Sequence, residues 1–181
     1  MKKLLILLIA GFMTLAASAQ FSKASLQATG LTCAMCSNAI NKALQEVPFV
    51  ASVKSDIKNS VFNIVFKENE SVDIDAIRQA VEDAGFSVGG LKLTGQFEQV
   101  AIANDKHIEV GGTTFHFLDV KQASLSGEQT LTVVDKNFVP ARQFKKFSNA
   151  TKMACIQTGK AATCCVKDGV KQNARVYHVT I

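Results

Sequence analysis

The chain has 181 residues, five cysteines, three histidines and no tryptophan, with a formal net charge of +5 at pH 7. That charge is modest and scattered, with Lys145-Lys146 the one basic pair after the first residues, which excludes nucleic acid as a partner. The length suits one large domain or two small ones, and no long linker or low-complexity segment interrupts it.

The chain opens Met1-Lys2-Lys3, continues with an apolar run from Leu4 to Ala17, and then reads Ala17-Ser18-Ala19-Gln20. A basic start, a short apolar stretch and an A-x-A site describe a secretory signal peptide over 1–19, cut after Ala19. Fourteen apolar residues fall short of the ~20 that span a bilayer, so no stable membrane anchor is expected after cleavage. The absence of a cysteine beside the cut argues against a lipid anchor. The mature protein is expected to be exported, periplasmic or secreted, with its charge reduced to +3 by the loss of Lys2 and Lys3.

In the mature chain, Ala24, Leu26 and Ala28 alternate with Ser25 and Gln27, which predicts a half-buried strand ended by Gly30. From Ser37 the apolar positions become Ile40, Ala43, Leu44 and Val47, one face of a helix stopped by Pro48. Between strand and helix stands Gly30-Leu31-Thr32-Cys33-Ala34-Met35-Cys36. Two thiols at this spacing can hold one soft metal ion from both sides, and a helix start favours the thiolate form. Strands follow over 50–56 and 61–66 around the turn Lys58-Asn59-Ser60. A second helix starts at an Asp73 N-cap, carries Ile74, Ile77, Val81 and Ala84, and closes at Gly85. A last strand over 87–93 completes a ferredoxin-like βαββαβ unit over 20–93.

Residues 21–93 resemble the heavy-metal-associated domain of copper chaperones, metal-pumping ATPases and periplasmic mercury-binding proteins. The family motif is GMTCxxC, matched here by residues 30–36 with Leu31 in place of Met, and Asp83 to Phe86 matches the usual end of the second helix. The resemblance implies that residue 31 is an inward packing anchor, which an apolar residue of similar volume can fill. It also implies Cu(I) transfer to a partner by ligand exchange through a shared three-coordinate intermediate. A metal-transport ATPase or another copper-accepting protein is the partner implied.

Cys33 and Cys36 are therefore the expected metal ligands. Cu(I) is satisfied by two thiolates, and Hg(II) equally so, whereas Zn(II) wants four ligands. Residues 21–93 contain no histidine and no third cysteine, and Thr32 stands where Zn(II)-preferring relatives often carry Asp. Met35 is expected to face solvent rather than ligate. Thiol–disulfide exchange and an inert disulfide are the other two readings of the pair. Against exchange, the chain lacks Trp, has only Pro48 and Pro140, and does not follow a thioredoxin-like element order.

In residues 94–181, strands are predicted over 97–103, 107–110, 113–120 and 129–134, with Gly111-Gly112 a tight turn. A short helix over 140–147 precedes two strands over 163–167 and 175–181. This order suggests a small β-rich, OB-like domain, giving an α+β protein overall. On a strand, Cys164 and Cys165 would face opposite ways, so Cys155 is expected to form a disulfide with one of them. A second soft-metal site at these cysteines, with Met153, is the alternative. His107, His116 and His178 fall on different strands and are expected to be solvated on the barrel surface, with His116 facing away from Phe115 and Phe117; a shared histidine site is the alternative, which no motif supports. The function expected is capture of Cu(I) by an exported, non-enzymatic protein that passes it on or sequesters it. A periplasmic Hg(II) scavenger and a thiol–disulfide accessory protein are the alternatives.

Overall fold

The computed structural model describes residues 20–31 and 33–181; the expected signal peptide and Thr32 lie outside them. The first half forms β1 (Gln20–Thr29), α1 (Ala34–Gln45), β2 (Val50–Asp56), β3 (Val61–Phe66), α2 (Ile74–Asp83) and the start of β4 (Ser87–Ile102). β1 pairs antiparallel with both β3 and β4, β3 pairs with β2, and α1 and α2 pack together against these strands. This is the ferredoxin-like arrangement expected for 20–93.

Local signals account for the helix ends. Asp73 Oδ1 accepts hydrogen bonds from the N–H groups of Asp75 and Ala76, at 3.0 and 3.2 Å. At the other end Gly85 takes φ +87°, while the Phe86 N–H donates to Val81 and that of Gly85 to Glu82. The paired bonds form a Schellman cap, which needs a residue that enters the left-handed region without strain.

The second half consists of the rest of β4, then β5 (Lys106–Val110), β6 (Thr113–Phe117), β7 (Ala123–Val133), α3 (Ala141–Ser148), α4 (Cys155–Thr158) and β8 (Val176–Thr180). These strands do not follow the pairing expected of a small barrel. They extend the first sheet into one of eight strands, in the order β2-β3-β1-β4-β7-β8-β6-β5. β4 runs unbroken through the boundary expected at 93/94, pairing with β1 on one side and β7 on the other. β6 and β8 run parallel. Among the described residues no helix is long and apolar enough to cross a membrane.

One apolar core runs along this sheet, from Leu26, Ile40 and Phe62 to Phe115, Leu131 and Val179. Phe21 joins the halves, edge-on to Phe97 and Phe115 at ring distances of 6.2 and 5.5 Å. The opposite face of β6 and β8 is covered by the chain after β7, whose own apolar clusters include Phe147, Cys155, Ile156 and Cys165. Both faces of these two strands are thus closed to water, as continuous burial along β8 from Val176 to Val179 shows.

A polar tie also spans the halves. Arg175 grips the Asp75 carboxylate with two hydrogen bonds of 2.7 and 3.2 Å and lies over the Tyr177 ring, while the Tyr177 hydroxyl accepts from the Asp75 N–H. Burial raises the Asp75 carboxyl, but hydrogen bonding and charge from Arg175, aided by Tyr177 and Arg78, hold it below its ordinary 3.8. The unfolded chain therefore binds the proton more readily, so this tie is intact above about pH 4 and is lost as the pH falls through the folded value. Arg175→Ala should cost about 1–2 kcal/mol at pH 7, a value discounted because a third of each side chain faces water. Urea unfolding at pH 7 and pH 3 checks this: the cost should shrink at pH 3, and an equal cost at both would contradict it.

Candidate metal site at the first helix

Cys33 is the N-cap of α1, with extended backbone at φ −157° and ψ 167°, and its side chain makes no capping hydrogen bond. Its sulfur is left for other work. Cys36 stands in the first turn of the helix, and the two sulfurs lie 3.1 Å apart. Cys33 is exposed and Cys36 half-buried, so the pair opens to the surface. Leu31 packs against the main core, as expected of the anchor that sets the loop, and Met35 is 80% exposed between the cysteines. Gly30 takes φ +84° at the end of β1, which lets the chain turn from strand to helix.

The geometry suits an ion that takes two sulfurs. With metal–sulfur bonds of about 2.3 Å, a linear S–metal–S unit needs sulfurs about 4.6 Å apart. The pair must therefore open by about 1.5 Å, which rotation of the exposed Cys33 side chain can supply. Cu(I) held by two thiolates carries one net negative charge, which the N-terminus of α1 stabilises by about 0.3–1 kcal/mol. Four-coordinate Zn(II) would need two further ligands, and 20–93 holds no histidine or third cysteine to supply them.

The profile of the Heavy-metal-associated domain matches residues 25–87. Copper chaperone CopZ of Staphylococcus haemolyticus is 30% identical over 59 residues, which are 33% of this chain and 85% of the chaperone. The chain belongs to the heavy-metal-associated domain family. Copper-transporting ATPase 1 of Rhizobium meliloti is 38% identical over 66 residues, 36% of this chain and 8% of the ATPase. Among solved structures, a copper binding domain from the P-type ATPase HMA7 is 32% identical, with 40% of this chain and 92% of that one covered and a TM-score of 0.34. The chain thus spans only 6–9% of the length of the curated ATPases it matches. The family domain occupies its first half.

The remaining cysteines depart from expectation. No disulfide links any of the five, so the expected bridge from Cys155 to Cys164 or Cys165 is not formed. Residues 163–167 are not a strand either. The chain makes a turn there that runs into a single 3-10 turn over Val166–Asp168, closed by Gly169 at φ +81°. A helical turn does not send neighbours to opposite faces, and the Cys164 and Cys165 sulfurs approach to 3.8 Å.

The histidines are not on the surface. The side chains of His107, His116 and His178 are fully buried, and all three rings converge on Cys155. The strand alternation itself holds, since His116 does face away from Phe115 and Phe117. What it faces is a second covered side of the sheet rather than water. One part of this cluster is within reach of the sequence: a hairpin centred on Gly111-Gly112 places His107 directly opposite His116. The pairing of His116 with His178 across the parallel β6–β8 ladder carries no local signal.

Proposed function

We propose that this protein is an exported carrier of soft metal, which captures Cu(I) with Cys33 and Cys36 and hands it to a copper-accepting protein. The observation that carries this reading is the pair of surface-facing sulfurs 3.1 Å apart at the start of α1, in a domain without further thiolate or imidazole donors. An exposed two-sulfur site leaves the ion open to a third ligand from a partner, so the metal can move by exchange without being released to water. The names of the curated relatives, copper-transporting ATPases and a copper chaperone, support copper as cargo and an ATPase-type acceptor. The N-terminal residues 1–19 support export. Residues 20–93 are the metal-carrying unit in this reading, and no catalytic step is assigned. Hg(II) is the second cargo that the same two sulfurs satisfy.

Transfer tests the reading. The Cu(I)-loaded chain, mixed without oxygen with the apo metal-binding module of a copper-transporting ATPase and separated by chromatography, should share its copper with the acceptor within minutes. Copper that stays wholly with the donor, or that moves equally well from a Cys33→Ser/Cys36→Ser variant, would contradict it.

A further inference from the structure

The cluster around Cys155 lies outside the family domain. Its sulfur lies 3.7 Å from His107 Nε2, 3.6 Å from His116 Nδ1 and 3.4 Å from His178 Nε2. The ligand atoms of His107, His116 and Cys155 all lie within 4.8 Å of one another. Cys155 itself is fully buried, in the short helix α4 that closes over the sheet.

Each ring is held from behind by a carboxylate. His107 Nδ1 meets Asp168 at 2.9 Å, His116 Nε2 meets Asp105 at 2.9 Å, and His178 Nδ1 meets Asp135 at 2.6 Å. The carboxylates are themselves fixed: Asp168 by Lys106 and the His107 N–H, Asp105 by the Thr151 hydroxyl, and Asp135 by Arg175 and the His178 N–H. A carboxylate that accepts from the outer nitrogen leaves the inner nitrogen of a neutral ring as an acceptor, and all three inner nitrogens face one sulfur. A thiol has a single proton and can satisfy only one of them. Three imidazole nitrogens around one sulfur make a donor set that a single cation can satisfy together.

We propose that His107, His116, His178 and Cys155 form a second metal site, a cage of three imidazole nitrogens and one thiolate sulfur for one divalent transition-metal ion of zinc-like softness. Bonds of about 2.0–2.1 Å to nitrogen and about 2.3 Å to sulfur give a tetrahedral N···S edge of about 3.5 Å, close to all three observed. His107, His116 and Cys155 already lie within mutual reach, whereas His178 lies outside that group and must close in, and the stacked His107 and His116 rings must tilt apart to share the ion. Imidazole backed by carboxylate is the usual environment of a metal-ligating histidine, and here it occurs three times. On binding, the Cys155 S–H bond breaks, the sulfur bonds the ion as thiolate, and the proton leaves to solvent. A cavity of about 430 Å³ lies on the outer side of the cluster, lined by His107 and Asp168 but not by Cys155, His116 or His178, so the ion must pass the His107 ring to enter. This site differs in chemistry from the exposed sulfur pair: it is buried, nitrogen-rich and four-ligand, as suits retention rather than transfer.

The test uses the full mature chain carrying Cys33→Ser and Cys36→Ser, so that only the second site can respond, with Co(II) as the probe under anaerobic conditions. One equivalent should give intense visible bands of tetrahedral Co(II) and a near-ultraviolet thiolate charge-transfer band, both displaced by Zn(II). Adding Cys155→Ser should remove the charge-transfer band. Adding Asp168→Asn instead keeps the four ligands and should weaken Zn(II) binding about 10–100-fold. Absence of a thiolate band in the double variant, with far-ultraviolet circular dichroism unchanged, would overturn the proposal. So would a band that survives Cys155→Ser, because it would place the ion on Cys164 or Cys165.

Discussion

Replacing either Cys33 or Cys36 with serine should lower Cu(I) affinity by more than about a thousandfold in competition against a Cu(I) chelator. Serine offers a hard, protonated oxygen that a soft monovalent ion does not prefer. The loss is steep because the second sulfur binds intramolecularly. It is held on the same helix turn, 3.1 Å from the first, so its effective concentration far exceeds that of any thiol in solution. The Cys33→Ser change leaves α1 intact, since the Cys33 side chain makes no capping hydrogen bond. Circular dichroism should therefore match the unaltered protein while tight binding is lost. Affinity for Zn(II) should stay below that for Cu(I) at this pair. Tight binding that persists in the double serine variant, at one Cu(I) per chain, would move the copper elsewhere.

Phe115→Ala should destabilise the folded chain by about 3–5 kcal/mol. Phe115 is fully buried in β6, edge-on to Phe21 of β1 at 5.5 Å and near the Tyr177 ring at 6.1 Å. Removing its ring opens a cavity where the two halves meet, and neighbours on three strands cannot all close it. Because the core is continuous and β4 belongs to both halves, the loss should appear as a lower urea midpoint with an unchanged slope, in one transition seen by both halves. A cost below about 1 kcal/mol would contradict this account. Two separate transitions, with only the second shifted, would show that 20–93 and 94–181 unfold independently.

The parts of the fold legible in the sequence are those set by neighbours along the chain. The stripe Ile40, Leu44 and Val47, the Asp73 cap and the Gly85 stop each act within a few residues, and together they specify βαββαβ. Cys33 and Cys36 are legible as the candidate pair for the same reason, since their spacing along the chain is the signal. The sheet beyond Leu93 is less so. β4 continues through Gly95 because β7 offers it a partner, a long-range pairing that no local pattern announces. The run at 163–167 reads as a strand by composition, yet the left-handed Gly169 and the need to cover β6 and β8 make it a turn. The histidines illustrate the same limit most sharply. Strand alternation gives the side to which His116 points, but not whether another layer waits there. Four side chains from β5, β6, α4 and β8 come together only once the sheet order is known.

X-ray absorption at the copper edge, on the chain from Gln20 onward loaded with one equivalent of Cu(I), tests the central claim most directly. Capture by Cys33 and Cys36 predicts a first shell of two sulfurs and no imidazole scattering, unchanged when Cys155 is replaced by serine. A shell containing nitrogen with imidazole outer-shell features, lost on Cys155→Ser and kept in Cys33→Ser/Cys36→Ser, would place the copper in the buried cluster and contradict it.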